Sequence, residues 1–339
     1  MLATATRNRP GSRDRFEQRY SKYYEGNPLG PPSIFLAREN ESGTVVGMTA
    51  LFPTNLRVAG QLLPAAVGGD FAVDPGHRGL GPALALQRAT TSVLSERKLK
   101  CAYGSPNSAS EPIVARASYA DVGRLTRFVK LLTARPLVDR HIRRPQLARL
   151  ASAASDPLLS VLSRERLQRR PARFSVDQPE LFDDRFESLW ATARDHQGAT
   201  SERSADLLNW RYEKTGPVET RRTYSIFAVR EGRDVAGYVV YRLDRDSRLV
   251  YDIVCLPDVS AIDALLSEFV LDARSAKAAA IDLGYVGPAN LLSRRLRAFG
   301  FLQRPAKNGL RVYVDGAAPF GVDLLSADNW YFMTGDTDI

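Results

Sequence analysis

The stretch Asp70-Phe-Ala-Val-Asp-Pro-Gly-His-Arg-Gly-Leu-Gly-Pro-Ala83 constrains this chain more than any other segment. The apolar run Leu62–Val73 predicts a strand, and Asp74-Pro75-Gly76 breaks it. From Ala83 to Leu99, apolar residues return at helical spacing (Leu84, Leu86, Ala89, Val93, Leu94). Pro82 suits the first helical turn, where its missing N–H costs nothing. A strand therefore passes through a turn of small residues straight into a helix. Such a turn presents unpaired backbone N–H groups at the positive end of the helix dipole, which is a binding site for a pyrophosphate.

The spacing separates this loop from other phosphate cradles. It lacks the Lys-Ser/Thr of a P-loop and the three-glycine spacing of a dinucleotide fold. What stands here is Arg78-Gly79-Leu80-Gly81-Pro82-Ala83, or Arg-x-x-Gly-x-Ala, preceded by Val-x-Pro. This pattern resembles the acyl-coenzyme A loop of the GNAT superfamily of N-acetyltransferases.

The order of elements agrees with that resemblance. Asp14–Tyr24 reads as an opening helix, and Ser33–Arg38, Val45–Val58 and Leu62–Val73 as strands, the last two joined by a hairpin turn at Gly60-Gln61. After the loop and helix come a short strand at Cys101–Gly104, a helix near Pro112–Ala117 and a strand at Thr126–Thr133. This succession differs from the strict alternation of a doubly wound nucleotide-binding sheet.

The second half echoes the first. Phe35-Leu-Ala-Arg-Glu39 with Val45-Val-Gly47 is matched by Phe227-Ala-Val-Arg-Glu231 with Val235-Ala-Gly237. Asp70-Phe-Ala-Val is loosely matched by Asp252-Ile-Val-Cys, and Pro106-Asn107 by Pro288-Ala-Asn290. At the place of the loop, however, stands Leu256-Pro-Asp-Val-Ser-Ala-Ile262, without glycine or arginine. The expected fold is therefore α/β with tandem GNAT-like domains, each a mixed, mostly antiparallel twisted sheet flanked by helices. The expected boundaries are 1–136 for an acyl-CoA-binding domain, 137–174 for a basic helical linker and 175–339 for a degenerate second domain.

Composition bounds the rest. A length of 339 residues favours two domains, and 44% hydrophobic and 25% charged residues are ordinary for a soluble protein. No apolar run is long enough to span a bilayer, and Met1–Pro10 lacks the apolar core of a signal peptide, so a cytoplasmic location is expected. Cys101 and Cys255 lie in apolar segments and read as small buried hydrophobes. His77, His141 and His196 do not cluster, which argues against a metal site. The net charge of +9 draws heavily on the arginines between Arg135 and Arg173. A linker face is the simplest account; peripheral contact with an anionic membrane stays open, while the few interleaved aromatics weaken a nucleic-acid role. The sequence leaves the oligomeric state open.

The resemblance implies chemistry as well as fold. In this superfamily acyl-CoA, with acetyl-CoA the usual donor, lies where two neighbouring strands splay, and an amine attacks the thioester directly. Carried onto this chain, Arg78, Gly79, Leu80, Gly81, Pro82 and Ala83 would hold the pyrophosphate, with His77 beside them. Phe71, Ala72 and Val73 would line the pantetheine arm and supply an oxyanion donor. Asn107 would bond to the pantetheine amide or cap the next helix. Asp70 is a candidate base on the same strand, or a strand-end carboxylate bonded to backbone; a bulge would be needed to turn it inward. The tyrosine that often protonates the leaving thiolate would fall at Val114, leaving Tyr119 as a substitute and Tyr103 near it. Some tandem relatives use the C-terminal carboxylate as base, which brings in Asp336, Asp338 and Ile339, unless the tail is frayed.

Leu208-Asn-Trp-Arg-Tyr212, the basic linker and Asn329-Trp-Tyr-Phe-Met-Thr-Gly-Asp336 resemble tandem acyltransferases of bacterial polysaccharide biosynthesis. The acceptor expected from this is an amine on a sugar or another small polar metabolite, with Trp210 and Trp330 as cleft or packing residues. Two rivals remain: a FemAB-like aminoacyl transferase fed by charged tRNA, and a non-catalytic interaction subunit of the same fold.

Overall fold

The computed structural model describes residues 13–78, 80–133, 165, 173–212, 224–316 and 319–337. The basic linker arginines other than Arg173, together with Gly79, Asp338 and Ile339, lie outside the described residues. The chain opens with helix α1 (Arg13–Tyr20), which runs into a π-helical turn at Ser21–Glu25. Strands β1 (Ser33–Arg38), β2 (Val45–Val58) and β3 (Gln61–Val73) form an antiparallel meander. Helix α2 (Leu80–Glu96) leads to β4 (Cys101–Gly104), parallel to β3, and short α3 (Glu111–Arg116) leads to β5 (Ala120–Leu131). The meander, the parallel step and the helix between fall where the hydrophobic patterns place them. Helix α2 starts three residues earlier than its apolar spacing suggests, because exposed Gly81 and half-buried Pro82 belong to a first turn outside the apolar stripe.

After β6 (Phe174–Asp177), α4 (Asp184–Ala193), β7 (Thr200–Ser201) and α5 (Ala205–Tyr212), the same plan recurs. Strands β8 (Tyr224–Glu231), β9 (Asp234–Asp244) and β10 (Ser247–Cys255) form a second meander. Helix α6 (Val259–Ser275) leads to β11 (Ala280–Val286), parallel to β10. Then come α7 (Leu291–Ala298), β12 (Leu302–Val314) and the short β13 (Phe332–Met333).

All these strands join one sheet, in the order β1-β2-β3-β4-β12-β5-β11-β10-β9-β8-β6. The two halves exchange their last long strands: β12 lies between β4 and β5, and β5 pairs with β11. Neither half therefore closes its own sheet. The central core reflects this, packing Val67, Tyr103 and Leu125 of the first half with Val286, Leu310, Trp330 and Phe332 of the second.

Side-chain alternation along β2 sorts the two faces. Leu51 packs with Ala66, Leu94 and Ala102 under α2. Ala50 and Phe52 pack on the opposite face against Tyr24 of the π-helical turn. No helix among the described residues is long and apolar enough to cross a membrane.

Candidate active site

Strands β3 and β4 are paired at only three positions, Ala65↔Cys101, Ala66↔Ala102 and Val67↔Tyr103. They still touch at Gly68, whose carbonyl oxygen lies 3.6 Å from where a Cβ on Gly104 would stand. Beyond that, β3 runs on to Val73 with β2 as its ladder partner, while its other edge has no strand paired to it and faces the gap beside β4. The N–H of Asp74 donates to the Val46 carbonyl at 2.7 Å. Hydrogen-bonding direction alternates along a strand, so the Val73 N–H points away from β2 and into the gap.

A bulge interrupts β3 at this point. Pairing passes from Ala50↔Gly69 to Met48↔Ala72, leaving Asp70 and Phe71 opposite Thr49 alone. Asp70 takes up the extra residue with φ 49°, a left-handed conformation that costs a non-glycine residue on the order of 1 kcal/mol. Its carboxylate turns toward the π-helical turn. Oδ1 accepts from Arg19 Nη2 and Oδ2 from the Tyr24 hydroxyl, each at 2.7 Å. Gly69 stands on the same face, where a Cβ would come within 2.9 Å of the Phe52 ring. The bulge foreseen for Asp70 is present, and it presents the side chain to the face opposite α2.

On the α2 face the cradle is built by three local devices. Asp74 Oδ1 accepts from the Gly76 N–H at 3.0 Å and closes the turn Pro75–His77. Ala83 is buried with Val73 and Leu86, and Phe71 packs against them, which fixes the start of α2 to the end of β3. Gly81 is exposed, with no atom within 4 Å of where its Cβ would point. The N–H groups of Leu80 and Gly81 belong to a first helical turn and have no acceptor within the helix, Pro82 has none to leave unpaired, and the Ala83 N–H starts the helical ladder. An anion can thus approach the main chain at Gly81 closely. The arrangement brings Phe71, Ala72, Val73, Arg78, Gly81, Pro82 and Ala83 to one end of the splay.

Other candidates are placed differently. His77 Nε2 lies 3.3 Å from Glu39 Oε1 and Nδ1 3.8 Å from Asp74 Oδ1, so the ring braces the turn against the β1–β2 connection. Asn107 Oδ1 accepts from the N–H groups of Ala109 and Ser110, each at 3.0 Å, and so caps the turn before α3. Tyr119 is buried under α2 with its hydroxyl 2.9 Å from Thr90 Oγ1, and burial pushes its pKa up to about 12. Tyr103 is a core residue against Trp330 and Phe332. Trp330 is itself buried, whereas half-buried Trp210 meets the Tyr23 ring edge-on and donates Nε1 to the Lys22 carbonyl. No cluster among the described residues has the make-up of a metal site.

The second splay, between β10 and β11, is filled. These strands pair from Ser247↔Ala280 to Val250↔Leu283, after which β13 takes the free edge of β11 at Tyr285↔Met333 and Val286↔Phe332. The tail continues as a turn at Thr334–Thr337, where a Cβ on Gly335 would stand 2.8 Å from the Tyr251 carbonyl oxygen. Asp336 is buried and bonds Arg203 Nη2 at 3.0 Å, the Met333 N–H at 2.7 Å and the Ser201 hydroxyl. Arg203 also holds Asp252 through Nε at 3.0 Å. Burial works against the Arg203 charge, but Asp252 and Asp336 outweigh it and hold its pKa well above the usual value. The N-terminus of α6 is capped by its own carboxylate, Asp258, which accepts from the Ala261 N–H at 3.0 Å. Among the described residues, the second half thus has neither an open gap nor an open cradle.

The partners of Asp70 and the tail network were not visible in local patterning. The one trace is a repeated Tyr-Glu pair, with Tyr24 in the π-helical turn after α1 and Tyr212 as the last residue of α5.

Residues 3–120 match the family model described as an acetyltransferase (GNAT) domain. No curated protein matches the chain. Among solved structures, a probable N-acyltransferase from Enterococcus faecalis V583 aligns at TM-score 0.65 and 13% identity, covering 92% of this chain and 68% of the other. A GCN5-related N-acetyltransferase from Anabaena variabilis aligns at TM-score 0.63 and 15% identity, covering 92% and 69%. The N-myristoyltransferase of Saccharomyces cerevisiae, solved with bound myristoyl-CoA, aligns at TM-score 0.55 and 13% identity, covering 97% and 76%. Parallel strands that splay beside a glycine-opened helix agree with the matching family model: residues 3–120 carry an acetyltransferase (GNAT) domain, and the chain as a whole shares the fold of these N-acyltransferases.

Proposed function

We propose that the chain transfers an acyl group from acyl-CoA, acetyl-CoA by default, to an amine of a sugar or other small polar metabolite. The observation that carries this is the open cradle at Gly81, anchored by Ala83 to the end of a strand whose Val73 N–H faces the gap. The pyrophosphate would rest on the first turn of α2, with Arg78 at its edge. The pantetheine arm would run down the splay along Phe71–Val73, and the thioester oxygen would accept from the Val73 N–H as negative charge develops. The acceptor would enter from the opposite face, beside Asp70 and Tyr24. Its unprotonated nitrogen attacks the carbonyl carbon; the C–N bond forms, the C–S bond breaks, the ammonium proton passes to solvent or a basic group, and the thiolate takes up a proton. We read the two halves as two GNAT-like units, the first holding the coenzyme and the second supporting it.

The test is thermal shift with acetyl-CoA and longer acyl-CoAs. A ligand at a hundred times its Kd adds roughly 2.7 kcal/mol to stability, so the wild-type melting temperature should rise measurably. Gly81→Glu, which fills the open space with a negative charge, should melt normally yet show no shift. A screen of amine-bearing nucleotide sugars and amino acids for CoA release then identifies the acceptor. Absence of any shift, with salt-sensitive binding of charged tRNA instead, would move the assignment to aminoacyl transfer.

A further inference from the structure

The internal repeat places one aspartate in the bulge of the first half, Asp70, and one directly after the bulge of the second, Asp252, and the two can be compared as if one were a control for the other. Asp70 sits where β3 bulges against Thr49, and Asp252 where β10 bulges between Val250 and Asp252 in its pairing with β9. Each carboxylate is gripped by an arginine and a tyrosine. For Asp70 these are Arg19 of α1 and Tyr24 of the π-helical turn, both at 2.7 Å. For Asp252 they are Arg203, through Nε at 3.0 Å, and Tyr238, whose hydroxyl donates at 3.2 Å. The grips are not copies of one another. Arg203 precedes α5 and Tyr238 lies on β9, whereas Arg19 and Tyr24 both precede β1. The fold has supplied the same two side-chain types, from different places in the chain, to an aspartate three residues before the end of each bulged strand.

The second half cannot do transfer chemistry at its bulge, since Phe332, Met333 and Gly335 fill its splay. The grip on Asp252 therefore serves structure alone, bracing the strand beside the bulge and, through Arg203, the tail at Asp336. We infer that Asp70 has the same role: it is a positioning residue whose carboxylate, locked by Arg19 and Tyr24, holds the bulge that turns the Val73 N–H toward the thioester, and it does not take the acceptor's proton. Both of its oxygens are already engaged, one by a guanidinium, so an incoming ammonium would have to displace a charge to reach it. The inference rests on the acyl-CoA assignment for the chemistry, while the lock itself is a property of the fold.

Arg19→Met separates the two roles. A base freed from its guanidinium partner keeps or gains activity; a bulge freed from its clamp loses it. The expected result is that Asp70→Asn and Arg19→Met each lower kcat by about 10²-fold, the cost of a misplaced reacting group, with little change in KM for acyl-CoA. The double variant should be no slower than the slower single one. The acidic limb of the kcat profile should stay in place in Asp70→Asn. Hydrogen exchange across residues 66–74 should quicken in both singles, and more mildly in Tyr24→Phe. Retained or raised kcat in Arg19→Met, loss of the acidic limb in Asp70→Asn, or unchanged exchange would each overturn the inference. Failure of the wild-type protein to bind any acyl-CoA would instead overturn the assignment, and the exchange comparison would still decide whether Asp70 clamps the bulge.

Discussion

Gly47 and Gly237 occupy matching registers, opposite Val73 and Cys255 at the ends of the two bulged strands. Each lets a helix lie close to the sheet. A Cβ on Gly47 would stand 3.0 Å from Leu86 Cδ1 and 3.2 Å from the Ala72 carbonyl oxygen. On Gly237 it would stand 2.7 Å from Cys255 Sγ and 3.1 Å from Leu265 Cδ2. Neither glycine needs a positive φ, so space is what selects it. Overpacking of this kind typically costs about 1–3 kcal/mol. Gly47→Ala and Gly237→Ala should therefore both lower the urea midpoint, and only Gly47→Ala should also weaken acyl-CoA binding, because Leu86 and Val73 carry the cradle. The repeated Val-x-Gly was legible in the sequence because it is local. The grip of Arg19 and Tyr24 on Asp70 was not, because it joins residues 51 and 46 positions apart across two elements.

At the scale of elements, α2 and α6 have the same length, each 17 residues, and lie in the same place against their sheets. Their first turns differ. Helix α6 carries Asp258 at its N-cap, where bonds from Ser260 and the Ala261 N–H hold its carboxyl below the usual carboxylate range. Helix α2 has exposed Gly81 in its first turn and no acidic residue there. Replacing an Asp cap by Ala costs about 1 kcal/mol. Asp258→Ala should lower stability by that order at pH 7 while leaving the acyl-CoA thermal shift intact. Because the folded-state pKa is depressed, the cap's contribution is present above the unfolded carboxylate pKa and fades as pH falls through the folded one. The gap between wild type and Asp258→Ala in urea midpoint should accordingly narrow in acid; a gap that is constant down to that range would show the cap contributes through something other than its charge. The glycine loop and its missing counterpart were readable from residue type alone, since cap chemistry is a matter of neighbours in sequence.

At the scale of the molecule, the strand exchange makes the halves interdependent, and nothing in the sequence announced it. Hydrophobic alternation tells a strand which face it buries but not which strand it pairs with, so β12 reads as an ordinary closing strand and not as the bridge between β4 and β5. The acidic tail was equally opaque: Asp336 looks like a solvated residue until Arg203, Arg211 and Ser201 are brought around it by β7, α5 and the preceding loop. A second link is the buried pair of Arg57 on β2 with Glu202, at 2.7 Å, so that opposite charges from both halves meet inside the fold. These contacts lock Phe332–Asp336 into the second splay, and the site count follows from that. A gap filled by the chain's own strand and a helix start capped by Asp258 leave the second half no place for either the pantetheine arm or the pyrophosphate. Equilibrium dialysis with radiolabelled acetyl-CoA should therefore give one site per chain, and Gly81→Glu should bring the count to zero. A count of two, or a residual single site in Gly81→Glu, would mean that the tail leaves the second splay in solution and that the repeat holds two working clefts.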